Sequence, residues 1–244
     1  MKRLMFVVLA SSLLLAGAGC THKRAAAATP QGIDKQSSQI HDRVQMAADD
    51  LHELINAPDT SIPQTILAKA KCVAVIPDMV KGGFVFGAEH GRGLVTCRTT
   101  RGWSAPAPIT LSGGSWGAQI GVQSADIVLV FMNDGAVQSL LNDKLKIGGD
   151  ASVAAGPVGR AAQASTDIKF DAQILSYSRT KGLFAGLDLT GAAVRQDMDT
   201  TAALYGKQIP FREILSGRVP PPPSTMAFLN AVSKDFQEAR TDHD

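Results

Sequence analysis

Three hydrophobic rhythms follow one another along the chain. The first is a largely apolar run over residues 4–16, interrupted by Ser11 and Ser12, behind Lys2 and Arg3. The second has a three- and four-residue spacing. Ile40, Val44, Ala47, Ala48, Leu51, Leu54 and Ile55 draw one apolar face, which predicts a helix over 34–56 ended by Pro58. A short helix is expected over 63–71. From Cys72 the third rhythm begins. "CVAVIP" reads as a buried strand, and "GGFVFGAEHGRGLVTCRT" as two strands turned at His90-Gly91. "APITLSG", "SWGAQIGVQ" and "ADIVLVFMN" continue the series, and "DGAVQSLLND" interrupts it with a helical turn or two.

Later, "DIKFDAQIL" alternates cleanly. Ile168, Phe170, Ala172 and Ile174 face one way, and Asp167, Lys169, Asp171 and Gln173 the other, as in a half-exposed antiparallel strand. "SYSRTKGLFAGLDLTGAAVR" adds a hairpin-like pair, and a helix begins near 199–205 with Asp199 as its N-cap. "RVPPPPS" reads as an extended polyproline II spacer. In the following helix Phe228, Leu229, Val232 and Phe236 share a side. Helix, many strands, then helix predicts an α+β fold: an antiparallel β-rich core, barrel- or sandwich-like, flanked by N- and C-terminal helices.

Composition supports that reading. Aromatic residues make up 5% while glycine reaches 23 residues, which suits close-packed sheet. The apolar run of 4–16 is too short for a permanent span, so residues 1–19 read as an export signal. Cys20 closes it in "LAGAGC", in the position of a lipid-modified first residue. Cleavage after Ala16–Ala18 by an ordinary signal peptidase is the alternative, because Gly17 stands where such lipid signals usually carry leucine. Residues 20–32 form a flexible tether, 33–216 the folded domain, and 217–244 a proline-rich segment with its helix. With Thr21 after the cysteine, the expected address is a bacterial outer membrane, lipid-anchored and facing the periplasm. In that oxidising compartment Cys72 and Cys97 form a disulfide or remain two buried thiols.

Charge narrows the partners. Without Lys2 and Arg3 the 24 basic residues fall to 22, equal to the acidic ones, so a globally basic nucleic-acid binder is not supported. The distribution is uneven. Residues 71–101 and 144–195 each carry a net +3, and the 34–56 helix carries −3. A basic β core with acidic helices could present cations to phosphate headgroups, or its charges could simply scatter around a solvated sheet.

Catalytic and cofactor signals are thin. "GGDASVAAGPVGRAAQAS" lacks the Lys-Ser/Thr of a phosphate loop and opens no βαβ unit. Ser115 in "GGSWG" lacks the spacing of a nucleophile elbow. Of the histidines that could serve as a base, His41 and His52 lie on the acidic helix and His90 in the expected turn. No cysteine pair has zinc spacing, and Asp197–Asp199 suits helix capping better than Ca²⁺. No catalytic residue, metal or cofactor is therefore assigned.

Four blocks carry a family likeness: "AKCVAVIPDMVKGGFVFGAEHGRGLV", "WSAPAPITLSGGSWGAQIGVQSADIVLVFMN", "GGDASVAAGPVGRAAQA" and "SYSRTKGLFAGLDLTGAAV". In order and spacing, from about residue 40 to 206, they resemble the SYLF domain of eukaryotic endocytic proteins and bacterial lipoproteins. The resemblance implies phospholipid binding: eukaryotic relatives bind phosphoinositides, and some bind and bundle actin. In an envelope, phosphatidylglycerol or cardiolipin would substitute. Eukaryotic members also use an amphipathic segment ahead of the strands, but the helix at that place here is acidic. The expected headgroup cations are Lys81, Arg92, Arg160, Arg179 and Lys181, beside glycine-rich turns where backbone amides can assist. The alternative is a non-catalytic adaptor of the envelope that binds a protein partner.

Overall fold

The computed structural model describes residues 30–57, 61–83, 86–116, 121–142, 144–158, 172–180, 183–184 and 189–241. Its helices are α1 (Pro30–Asn56), α2 (Gln64–Lys69), α3 (Asp134–Leu140), α4 (Met198–Tyr205), α5 (Phe211–Leu215) and α6 (Met226–Thr241). Its strands are β1 (Cys72–Gly83), β2 (Phe86–Thr99), β3 (Gly102–Trp103), β4 (Ala107–Trp116) and β5 (Gly121–Phe131), then β6 (Lys144–Lys146), β7 (Val153–Ala155), β8 (Ile174–Thr180), β9 (Leu183–Phe184) and β10 (Ala193–Gln196). They form one sheet in the order β6-β10-β4-β2-β1-β5-β8-β7, with β3 beside β2 and β9 beside β8. All described pairings within it are antiparallel except β7 with β8 and the Ile147–Ala151 bridge. The sheet curls into a half-barrel flanked by the N- and C-terminal helices, which is the expected α+β class.

Alternation along the strands builds two apolar layers. On the inner face Ala74, Ile76, Ile109, Leu111, Leu129 and Val194 pack with Ala136 and Leu140 of α3 and Phe211 and Ile214 of α5. On the outer face Val73, Val75, Leu94, Val128, Val130 and Tyr177 pack under Val44, Leu51 and Leu54 of α1, Leu67 of α2 and Phe228 and Phe236 of α6. The three- and four-residue spacing of α1 is thus matched by a row of β-branched partners. α1, α2 and α6 cover the central outer face and leave the far ends of the strands bare.

Several sequence expectations are corrected. β2 runs without a break through His90 and Gly91. Glycine stands there because a Cβ on Gly91 would meet the Ile76 side chain, and one on Gly93 would meet the Val75 carbonyl. The cause is a bulge in β1, where the register to β2 slips between Val75 and Val80. Asp78 sits in it at φ 47 and donates its N–H to Asp126 Oδ1 at 3.0 Å. Strand β8 starts at Ile174 and continues to Thr180, so Ala172 and Gln173 lie outside it, and both of its faces are largely buried. Residues 167–171 of the alternating stretch lie outside the described residues. The N-cap of α4 is Asp197, whose side chain accepts from Thr200 N–H, and not Asp199. Cys72 and Cys97 are register partners on β1 and β2 and are joined by a disulfide.

Candidate functional site

Strand register assembles a line of cations on the uncovered outer face. Arg195 of β10 lies opposite Lys144 of β6 on one side and Thr110 of β4 on the other, and Thr110 lies opposite Arg92 of β2. The row Lys144–Arg195–Thr110–Arg92 therefore crosses four neighbouring strands. Leu145, Val194, Leu111 and Ile109 point into the inner core, so the alternating positions between them face out, and Lys144, Arg195 and Arg92 are exposed. The next row runs Lys146–Ala193–Ser112–His90, adding a further exposed cation at the β6 edge. Among the described residues the side chains of Lys144, Lys146 and Arg195 form no ion pair, and Asp150 accepts only from the Lys146 backbone N–H at 2.7 Å. Arg92 lies 3.9 Å from Asp197 Oδ2 with its side chain 52% exposed. Arg43 of α1 stands near it. Burial, and then the charge of Arg92, lower the Arg43 pKa, while Asp197 opposes them.

Such a row has a physical cost. Like charges directly opposite on a sheet destabilise it by roughly a few tenths of a kcal/mol. Each guanidinium or ammonium also offers several donors with no acceptor of its own. The arrangement suits a ligand that brings several anionic oxygens at once.

The sequence-expected cations fall elsewhere, except Arg92. Lys81 of β1 points to the inner face, where its Nζ lies 3.7 Å from Glu89 Oε2 and its side chain is 12% exposed. Arg179 of β8 lies on the outer face but is held by acids. It pairs with Glu53 of α1, Asp126 of β5 at 3.1 Å and Asp50 of α1 at 3.4 Å. Both cations are held in internal pairs, and the structure does not bring them together with Arg92. Arg160, Lys181 and Cys20 lie outside the described residues.

The Arg179 node has its own electrostatics. Burial foremost, then the Asp126 charge, push the Asp50 carboxyl up to about 7 against the pull of Arg179; Asp78 and Asp49 add smaller upward contributions. Burial also raises Asp126, opposed by the Asp78 N–H. Asp50 Oδ2 is buried and accepts no hydrogen bond, which fits a carboxyl that keeps its proton near neutrality. This node joins α1 to the sheet.

Lys144, Lys146 and Arg195 are the residues that a search for glycine-flanked cations passes over. Their signal was the "KLK" alternation and the net +3 of residues 144–195. Their meeting depends on the β6-β10-β4 order, which joins segments far apart in sequence. No group of three or more metal-ligating side chains is found among the described residues. There, too, no helix is long and apolar enough to cross a membrane.

Residues 112–235 match the family described as "Ysc84: Las17-binding protein actin regulator". The chain is 36% identical over 191 residues to Protein YSC84 of Saccharomyces cerevisiae, covering 76% of this chain and 41% of that protein. It is 35% identical over 169 residues to the human SH3 domain-containing YSC84-like protein 1, covering 68% and 49%. The rat protein of that name is 34% identical over 187 residues, covering 75% and 55%. The chain thus spans about half of these relatives, or less.

Proposed function

The chain belongs to the Ysc84 family of SYLF-domain proteins, and from that premise we propose that its β-rich domain is a non-catalytic module that binds anionic phospholipid headgroups. The observation that carries this reading is the solvent-facing row Lys144–Arg195–Thr110–Arg92, in which a cation directly opposes a cation with no described carboxylate at Lys144 or Arg195. Several phosphates on one surface would neutralise that row together. A single soluble anion would leave part of it repelling itself. The reading also places the domain at an envelope membrane, tethered through a lipid on Cys20, with phosphatidylglycerol or cardiolipin as ligand. Arg160 and Lys181, outside the described residues, remain candidates in addition to the row.

The test is co-sedimentation of the full chain carrying Cys20→Ser, so that no acyl chain there adds membrane affinity. Vesicles of phosphatidylcholine alone and with phosphatidylglycerol or cardiolipin are compared at low and high salt. Binding confined to anionic vesicles and weakened by salt is expected. Equal binding to neutral vesicles, or none to either, would reject the reading. The family's description and a relative's name favour one other, a protein partner, since "Las17-binding" and "LAS seventeen-binding" name such a contact. An adaptor of that kind would give a stoichiometric complex with an acidic protein and no vesicle affinity of its own.

A further inference from the structure

Beyond the cationic rows the same bare face turns apolar. Two residues further along the strands from the Arg92 row come His90, Ser112 and Ser124, with Val80 opposite both His90 and Ser124. Two residues further again, Val122 lies opposite Gly82, Gly82 opposite Ala88, and Ala88 opposite Gly114. Val122 is 82% exposed and Val80 47% exposed. Large aliphatic side chains left this open beside small residues contrast with the outward valines nearer the helices, Val73 and Val75 of β1 and Val128 and Val130 of β5, which are fully buried. The outer face is therefore graded along the strands: covered core, then the Lys144–Arg195–Arg92 row, then a mixed row holding Lys146, Ser112, His90, Val80 and Ser124, then Val122 among small residues.

We propose that the Val80–Val122 end of the sheet inserts into the interface of an anionic bilayer while the cationic rows rest on the phosphates. This rests on the phospholipid reading above and adds how the domain sits. Four residues of strand separate the Arg92 row from the Val122 row, about 13 Å at roughly 3.3 Å per residue. Lys146 stands in the row of Val80 and one row from Val122, and long Lys and Arg stems reach part of the remaining way. Apolar side chains below the headgroups with cations at phosphate level is the arrangement of an interfacial anchor. A second copy of this chain is a poorer occupant. Face-to-face pairing would set one cationic row against another, and two valines with small neighbours fall far short of the roughly 800 Å² per partner of a stable interface. A bilayer carrying anionic lipid complements both parts of the face.

The experiment places a reporter at the tip. Val122→Trp, in the full chain with Cys20→Ser, is mixed with phosphatidylcholine–phosphatidylglycerol vesicles, and its emission is compared with the same chain lacking that substitution. A blue shift of the introduced indole and its quenching by phosphatidylcholine brominated near the headgroup end of its chains are expected. Glycerol phosphate in solution should give neither. The double change Val80→Asp/Val122→Asp should weaken vesicle binding at high salt about tenfold, with thermal unfolding unchanged. Vesicle binding with the introduced indole unshifted and unquenched would overturn insertion and leave headgroup binding standing. Failure to bind anionic vesicles at all would remove both readings. A blue shift that grows with protein concentration without lipid would assign the tip to self-association instead.

Discussion

Two places on one face of the sheet treat charge in opposite ways. At the β5–β8 end a single cation, Arg179, is shared by Glu53, Asp126 and Asp50, beneath α1. At the β6–β10–β4–β2 end Lys144, Arg195 and Arg92 line up beside Lys146; Asp197 lies 3.9 Å from Arg92, and Asp150 accepts from the Lys146 backbone N–H, not from its ammonium. The first arrangement satisfies charge inside the fold and fixes a helix to the sheet. The second leaves charge unsatisfied at a small cost to the sheet. Stability explains the node and does not explain the row, which points the row toward a ligand.

The comparison breaks most readily at Arg179. Arg179→Gln leaves the Glu53 and Asp126 carboxylates and the partly protonated Asp50 carboxyl close together without their shared cation, two of the three raised in pKa already. Losing one partner of a buried pair costs about 3–5 kcal/mol. With the Arg179 side chain 22% exposed, solvent screening brings the expected loss down to about 2–3 kcal/mol, at or below the floor of that range. Urea unfolding measures it, and a change under about 0.5 kcal/mol would mean that the node is ornamental.

A second test uses pH. The folded-state pKa of Asp50 lies above its ordinary value, at about 7. The folded protein therefore holds a proton that the unfolded chain has released, and this group's contribution to stability is full below about pH 4 and is lost as pH rises towards 7. Asp126 acts with the same sign. Asp50→Asn removes the larger part of that dependence, so its melting temperature should change less between pH 5 and pH 8 than that of the wild type. At about 2–4 °C per kcal/mol for a chain of this size, a difference of several degrees is readable. An equal slope in both proteins would mean that Asp50 titrates normally.

The smallest effect has the opposite sign. Lys144→Ala relieves one like-charge opposition and should leave stability unchanged or raise it by about 0.2–0.5 kcal/mol. A loss of more than about 1 kcal/mol would show that the row serves the fold.

Much of the architecture was legible because it is written locally. The three- and four-residue spacing of α1 and the Phe228–Val232–Phe236 side of α6 meet the sheet as their patterns required. What failed depended on distant segments. His90-Gly91 looks like a turn signal, yet Gly91, like Gly93, serves a close approach by the β1 bulge. Arg179 reads as a free cation beside a glycine, and only the packing of α1 on β8 brings Asp50 and Glu53 to it. "KLK" announces two outward lysines at any register, but that Lys144 faces Arg195 follows from strand order alone.

The most direct measurement compares Lys144→Glu/Arg195→Glu with Arg179→Gln in the Cys20→Ser chain, each by thermal unfolding and by sedimentation with phosphatidylglycerol vesicles at low salt. The account predicts that the row variant keeps its melting temperature within a few degrees and loses vesicle binding. Arg179→Gln should melt earlier and, where still folded, bind as the parent does. A row variant that binds normally, or an Arg179→Gln protein that is stable but no longer binds, would contradict the division of roles between the two sites.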